Sequence, residues 1–267
     1  MEWIYTPADA RQWADFSGDD NPIHFDGVLS GSAQRMANSV HGMRALLDVK
    51  QALANAWITY SDSDSDWLYF SARMLEPLRY HQQSRLMIEG KKDRLNGQLV
   101  DVTTTKPCIS ARLQKSTRAQ WQTEGALTGH LHRDQLDAGI THCPALDFNG
   151  VWQWAFLDAV LFRELLSSNV IAATLRTAFP ELQHCSLSAL FRQLVVVQTH
   201  HETRFHPRII NTAQFFSLDW YIPSALLVGD ARTGVVCQLT IAAADQDGPL
   251  MSSVVTLKTL PGKESHD

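Results

Sequence analysis

No CxxC pair occurs in this chain of 267 residues, and its four cysteines, Cys108, Cys143, Cys185 and Cys237, stand far apart. Wide spacing in a chain of this size points away from a disulfide framework and toward reduced, buried thiols, which predicts a cytoplasmic protein. No uninterrupted apolar run approaches the roughly 18 residues that a membrane-spanning helix needs, so no membrane span is expected. The opening MEWIYTPADA has neither a basic segment nor an apolar core, so no secretory leader is expected either. Positive charge is in short supply: 23 Lys and Arg against 28 Asp and Glu leave a formal charge of -5. Without a basic excess to neutralise phosphates, nonspecific nucleic-acid binding is not expected. What the chain does have is 45% hydrophobic residues. That content and length suit one large domain or two of about 130 residues, each able to bury a core.

Thr6 is placed to cap a short helix with Pro7 at its first position, running through ADARQWADF. The segment GSAQRMANSVHGMRALLDVKQALANAW comes later, and there Met43, Leu46, Leu47, Val49, Leu53 and Trp57 cover more than one helical face. A helix apolar on most sides is buried in the middle of something. After SDSDSD (61–66) the pattern turns to strands: WLYFSARML, SRLMIEGKK, QLVDVTTTK and ISARLQK, with Asn96-Gly97 as a hairpin signal. The second half repeats the order. VWQWAFLDAVLFRELLSS (151–168) is a second apolar helix; ALFRQLVVVQT, FFSLDWYI, GVVCQLTIAAA and LMSSVVTLKTL read as strands, with Asp247-Gly248 at a hairpin. The Thr-, Gly- and His-rich segment from about 116 to 145 reads as a linker. One long apolar helix and an antiparallel meander, twice over, predict an α+β fold in which each half's sheet wraps its central helix. The halves are placed at 1–120 and 121–267.

One short stretch is denser in chemistry than its surroundings. FSGDDNPIHFD, residues Phe16 to Asp26, holds a glycine, a proline, an asparagine, a histidine and three carboxylates in eleven positions. Turn formers alone make a surface loop. Here the loop is followed, seventeen residues after His24, by His41-Gly42-Met43 at the start of the first buried helix. The two elements at this separation resemble the signature of MaoC-like (R)-specific enoyl-CoA hydratases and dehydratases, whose pattern SGDxNPxHxD stands in full from Ser17 to Asp26. The resemblance covers roughly residues 3 to 115. It implies one hot-dog per half, a double hot-dog, with 1–120 as the catalytic domain. The second half has no SGDxNPxH and is read as a degenerate hot-dog that completes the pocket.

The same resemblance implies Asp19 and His24 as the catalytic pair, Asn21 as their positioning partner, and the Gly42 amide as an oxyanion donor. The residue types suit the chemistry. Hydrating an enoyl thioester needs a base for the water and an acid for the α-carbon, and one Asp and one His can share these jobs near neutrality. A backbone N–H at a helix N-terminus is a preorganised donor for the thioester oxygen as charge builds there, and glycine lets the thioester approach closely. The expected reaction is reversible hydration of a trans-2-enoyl thioester to an (R)-3-hydroxyacyl thioester, with no metal or redox cofactor. The expected partner is an acyl-CoA or acyl-carrier-protein substrate. A 3-hydroxyacyl-carrier-protein dehydratase and a catalytically silent acyl-thioester binding protein are the alternatives, and a homodimer is left open.

Other polar clusters carry less. SDSDSD lacks the glycine and glutamate of a calcium loop. The histidines of GHLHRD (129–134) and THHETRFH (199–206) fit no zinc spacing and read as strand or loop residues. Lys91-Lys92-Asp93-Arg94 reads as a solvated hairpin end that could also meet the phosphates of CoA or an acidic carrier. Trp152 and Trp154 read as core or pocket wall.

Overall fold

Among the described residues, alternating apolar residues build ten strands that join in one antiparallel sheet, as a computed structural model of the chain shows. It describes residues 1–25, 38–60, 67–121, 124, 126–143, 153–211 and 217–259. Asp26, the run 61–66 and Trp152 lie outside the described residues. The first five strands are β1 (Glu2–Ile4), β2 (Trp67–Met74), β3 (Gln83–Lys91), β4 (Arg94–Asp101) and β5 (Pro107–Ser116). The second five are β6 (Leu127–His132), β7 (Val196–Phe205), β8 (Ser217–Asp230), β9 (Gly234–Asp245) and β10 (Gly248–Thr259). Their order is β1-β3-β4-β5-β2-β7-β10-β9-β8-β6, so each half keeps its own run and β2 pairs with β7 at the junction. Two strand edges that would otherwise expose unpaired backbone groups satisfy each other there.

Two helices, α2 (Gly42–Tyr60) and α4 (Gln153–Ser167), pack against each other and against the sheet. Leu46, Leu47 and Leu53 of α2 and Phe156, Leu157 and Leu161 of α4 are fully buried, each contributing about 1.5–3 kcal/mol. Before them stands α1 (Pro7–Ser17), opened by Thr6, whose N–H and hydroxyl both donate to Asp9 Oδ2, at 2.9 and 2.8 Å. Arg44, in the first turn of α2, reaches Asp9 at 3.0 Å and Asp48 at 2.8 Å, and Tyr5 donates to Asp48 at 2.9 Å. This buried cluster fixes the start of α2 against α1, and so against the loop that leaves α1. Among the described residues no helix is long and apolar enough to cross a membrane.

Three local expectations are corrected. Asn96-Gly97 is not the hairpin turn: it lies inside β4, opposite Glu89 and Ile88, and the chain reverses at Lys92-Asp93. Gly97 faces the first central helix, where a Cβ would stand 3.4 Å from Leu53 Cδ2, an ordinary contact. The segment 116–145 is not a bare linker, since β6 and α3 (Arg133–His142) lie in it and β6 pairs with β8. The strand expected from ALFRQ is instead α6 (Leu187–Gln193), preceded by α5 (Val170–Ala178). Ser186 Oγ accepts from the Ala189 amide at 3.2 Å, and that cap starts a helix that buries Leu190 and Phe191. In THHETRFH, strand alternation sends His201 into the core and leaves His200 and Glu202 on the other face, so these side chains do not converge.

Candidate active site

The loop after α1 is bent by its own residues. Gly18 closes the helix at φ +78, donating to the Ala14 carbonyl at 2.8 Å, a left-handed geometry glycine adopts freely. Ser17 Oγ donates to the Trp13 carbonyl at 2.7 Å and accepts the Asp19 amide at 3.1 Å. Asn21 then opens a single 3-10 turn, Pro22–His24, with Pro22 at its first position, and Asn21 Oδ1 accepts from the Ile23 amide at 3.3 Å. Its other end, Nδ2, donates to the Val196 carbonyl at 2.9 Å and so pins the loop to β7 of the second half.

His24 is held from three sides. Its Nδ1 lies 2.9 Å from the Ser39 carbonyl, Tyr80 donates to its backbone carbonyl at 2.7 Å, and the His41 ring stacks on it at 3.7 Å with a tilt of 32°. A carbonyl only accepts, so Nδ1 carries the proton and Nε2 bears the free lone pair. His41 Nε2 donates to the Asp19 backbone carbonyl at 2.9 Å by the same reasoning. Burial pushes His24 down to about 3, with the His41 ring adding to the effect and Asp19 opposing it. Burial alone takes His41 to about 3 as well. Burial raises Asp19 above the usual carboxylate range against the pull of His24. At neutral pH the site therefore holds two neutral imidazoles beside a carboxyl whose proton affinity is increased.

Asp19, Asn21, His24 and Gly42 all line one cavity of about 310 Å³. The four residues singled out in the sequence are thus brought together, with Gly42 as the first residue of α2. The rest of the lining is largely apolar, including Met43, Leu78, Phe162, Leu166 and Phe191, and Lys258 stands exposed at its edge. Trp154 is buried in the core and is not among the cavity residues, the first of the two readings given to it, and its neighbours Phe156 and Leu157 are core residues as well. Lys91, Lys92 and Arg94 cap the exposed β3–β4 hairpin instead of lining the cavity. The roles of Ser39 and Val196 had no sequence signal, because each acts through its backbone carbonyl.

The histidines make stability depend on pH. Both fold to values below the unfolded 6.5, so the unfolded chain takes up protons that the folded one refuses, and stability falls as pH drops from about 6.5 toward 3. Each imidazole contributes a slope of about 1.4 kcal/mol per pH unit in that window. Buried His201 is also lowered and adds to it. Asp19, being raised, acts in the opposite sense, its contribution being lost as pH rises. Urea unfolding at pH 7 and pH 5.5 is expected to show a lower midpoint at the acid value, and His41→Asn is expected to reduce the difference by about one proton's worth. An unchanged midpoint across that range contradicts the assignment of neutral buried histidines.

No family model matches this chain, and no curated protein does. Solved structures match in fold. The 12:0-ACP thioesterase from Umbellularia californica superposes with a TM-score of 0.50 at 9% identity, over 84% of this chain and 88% of that one. A protein of unknown function with hot dog fold from Alicyclobacillus acidocaldarius gives 0.46 at 10% identity, over 84% and 89%. The dehydratase domain of PpsC from Mycobacterium tuberculosis, in complex with C12:1-CoA, gives 0.42 at 13%, over 83% and 85%. At such identities the likeness establishes a fold of hot-dog type, with its large antiparallel sheet and few helices, and nothing finer.

Proposed function

We propose that this chain is a double hot-dog enzyme of MaoC-like type that adds water reversibly to a trans-2-enoyl thioester, giving an (R)-3-hydroxyacyl thioester. The observation that carries the proposal is the convergence of Asp19, Asn21, His24 and the N-terminal residue of α2 on one mainly apolar cavity. The acyl chain lies among Phe162, Leu166 and Phe191, and its thioester oxygen meets the Gly42 amide. A water between the two titratable groups is oriented by the bare Nε2 of neutral His24. The Asp19 carboxylate, made more basic by burial, takes one proton from that water as its oxygen bonds to C3. The same proton passes from Asp19 to the α-carbon on the same face, so the carboxylate is regenerated and water is added syn. The cycle needs two proton transfers and no redox step. Loaded with a carrier-protein thioester and run in reverse, the same site is a 3-hydroxyacyl dehydratase.

Hydrolysis of the thioester is the second reading, favoured by the match in fold to the 12:0-ACP thioesterase. The same water would attack the carbonyl carbon instead of C3. Crotonyl-CoA separates the two. Hydration removes the absorbance of the conjugated double bond without releasing a thiol, whereas hydrolysis releases free CoA, which a thiol reagent reports. Butyryl-CoA can only be hydrolysed. Binding of crotonyl-CoA with neither outcome identifies a silent binder. If hydration occurs, chiral analysis is expected to find the (R)-3-hydroxy product, since one face of the enoyl group lies over the Asp19–His24 loop; predominantly (S) product sinks the assignment.

A further inference from the structure

The second half carries an irregularity at the cavity. Along β10, Val255 faces His201 and Thr256 faces His200, but Leu257 faces Gln198, so Thr199 is the extra residue of a β-bulge. In a regular strand His201 would point inward, His200 outward, Thr199 inward and Gln198 outward. The bulge resets that count. Leu257 and Thr259, opposite Gln198 and Val196, are both buried, and Gln198 turns to the helix side and into the cavity. The pairing of β2 with β7 ends at Arg73–His200, so the cavity opens where the two strands part.

Two features of the Gln198 carboxamide point to a ligand. Its Oε1 lies 3.5 Å from where a Cβ on Gly42 would stand, so the group confronts the first residue of α2. Its Nε2 is buried and has no hydrogen-bond partner among the described residues, an arrangement that is unfavourable unless a partner arrives. The terminal torsion of glutamine is broad and roughly two-fold, so exchanging the oxygen and nitrogen ends is easy.

We propose that Gln198 is a catalytic group supplied by the second half, turning its NH2 onto the thioester oxygen and acting with the Gly42 amide as the second donor there. The role in turnover rests on the hydratase reading of this cavity, while the contact itself requires only a thioester carbonyl beside Gly42. As water bonds to C3, the electron pair of the double bond moves onto the thioester oxygen, where the two donors hold it. It returns when the α-carbon takes the proton from Asp19. Gln198 exchanges no proton.

Gln198→Leu, close to isosteric, tests this in two measurements. In the first, kcat for crotonyl-CoA hydration is expected to fall by about 10² to 10³, as for loss of one oxyanion donor, with a much smaller change in KM and no loss of melting temperature. Unchanged kcat, or a loss confined to KM, overturns the proposal. The second uses the ketone analogue of butyryl-CoA in which a methylene replaces sulfur, which can be neither hydrated nor hydrolysed. Its carbonyl stretch is expected to move to lower frequency on binding the wild-type chain and to recover in large part in Gln198→Leu; equal shifts overturn the contact. A wild-type chain that binds the ketone but does not hydrate crotonyl-CoA overturns the hydratase reading alone, and the spectrum still decides on Gln198. A wild-type chain that does not bind the ketone overturns both.

Discussion

Asp19→Asn and His24→Ala are each expected to lower enoyl-CoA turnover by about 10² to 10⁴ while the chain stays folded. Asp19→Asn retains the contacts that shape the loop, because His41 donates to the Asp19 backbone carbonyl and the Asn21 amide donates to Oδ1, which an asparagine also offers. It removes the carboxylate proposed to take and return the water proton. His24→Ala loses the water-orienting Nε2 but also the contact to the Ser39 carbonyl and the stack on His41. His24→Asn therefore accompanies it, since its side-chain NH2 can donate to Ser39 while offering no imidazole lone pair. Steady-state kinetics beside circular dichroism decide the matter. Near-normal turnover in Asp19→Asn, or in both His24 variants, removes that residue from the mechanism.

Removing the carboxylate of Asp158 is expected to cost about 3–5 kcal/mol of stability, the range for breaking a buried ion pair from one side. Asp158 of α4 is fully buried and pairs with Lys50 of α2, also fully buried. It accepts further bonds from His201 Nε2 at 2.7 Å, Thr203 Oγ1 at 3.2 Å and the Ser253 hydroxyl. Burial would raise Asp158, but the pull of His201 and Lys50 and the hydrogen bonds both donate hold it well below the usual carboxylate range. Burial lowers Lys50 against the attraction of Asp158. One carboxylate thus ties both central helices to β7 and β10. Asp158→Ala leaves the Lys50 ammonium in the core without its carboxylate, and Lys50→Met leaves the carboxylate without its cation. In urea titrations each single variant is expected to lose a large part of a total that is about 5–15 kcal/mol for a domain. Lys50→Met/Asp158→Ala is expected to lose less than the sum, because the partners interact directly. Additive losses, or losses below about 1 kcal/mol, show that the pair does not hold the helices together. Asp158 does not line the cavity, so KM of the folded fraction is expected to be unchanged.

Much of the local structure was legible because it is decided locally. Thr6, Pro7 and Gly18 start and stop α1 through backbone preferences that need no distant partner. Asn21 and Pro22 set the turn in the same way, and the all-round apolar pattern of 43–57 and 153–167 marks two buried helices wherever they pack. Asn96-Gly97 misled because turn propensity is overridden by strand pairing: both residues sit in the ladder opposite Glu89 and Ile88, and the chain reverses at Lys92-Asp93.

The sequence by itself determined which residues could do the chemistry, and that Asp19, Asn21, His24 and Gly42 stand at the ends of short elements able to face one another. Only the tertiary structure decided what surrounds them. The partners of Asn21 and His24 are backbone carbonyls, at Val196 and Ser39, and a carbonyl looks the same at every position of a sequence. The neutral state of His24 comes from its burial and from the stacked His41 ring. The inward turn of Gln198 comes from a bulge that exists only once β7 and β10 are in register. The pairing of Lys50 with Asp158 spans 108 positions of chain. Each of these is a product of desolvation or of contact between segments far apart in sequence, and both depend on where the folded backbone brings them.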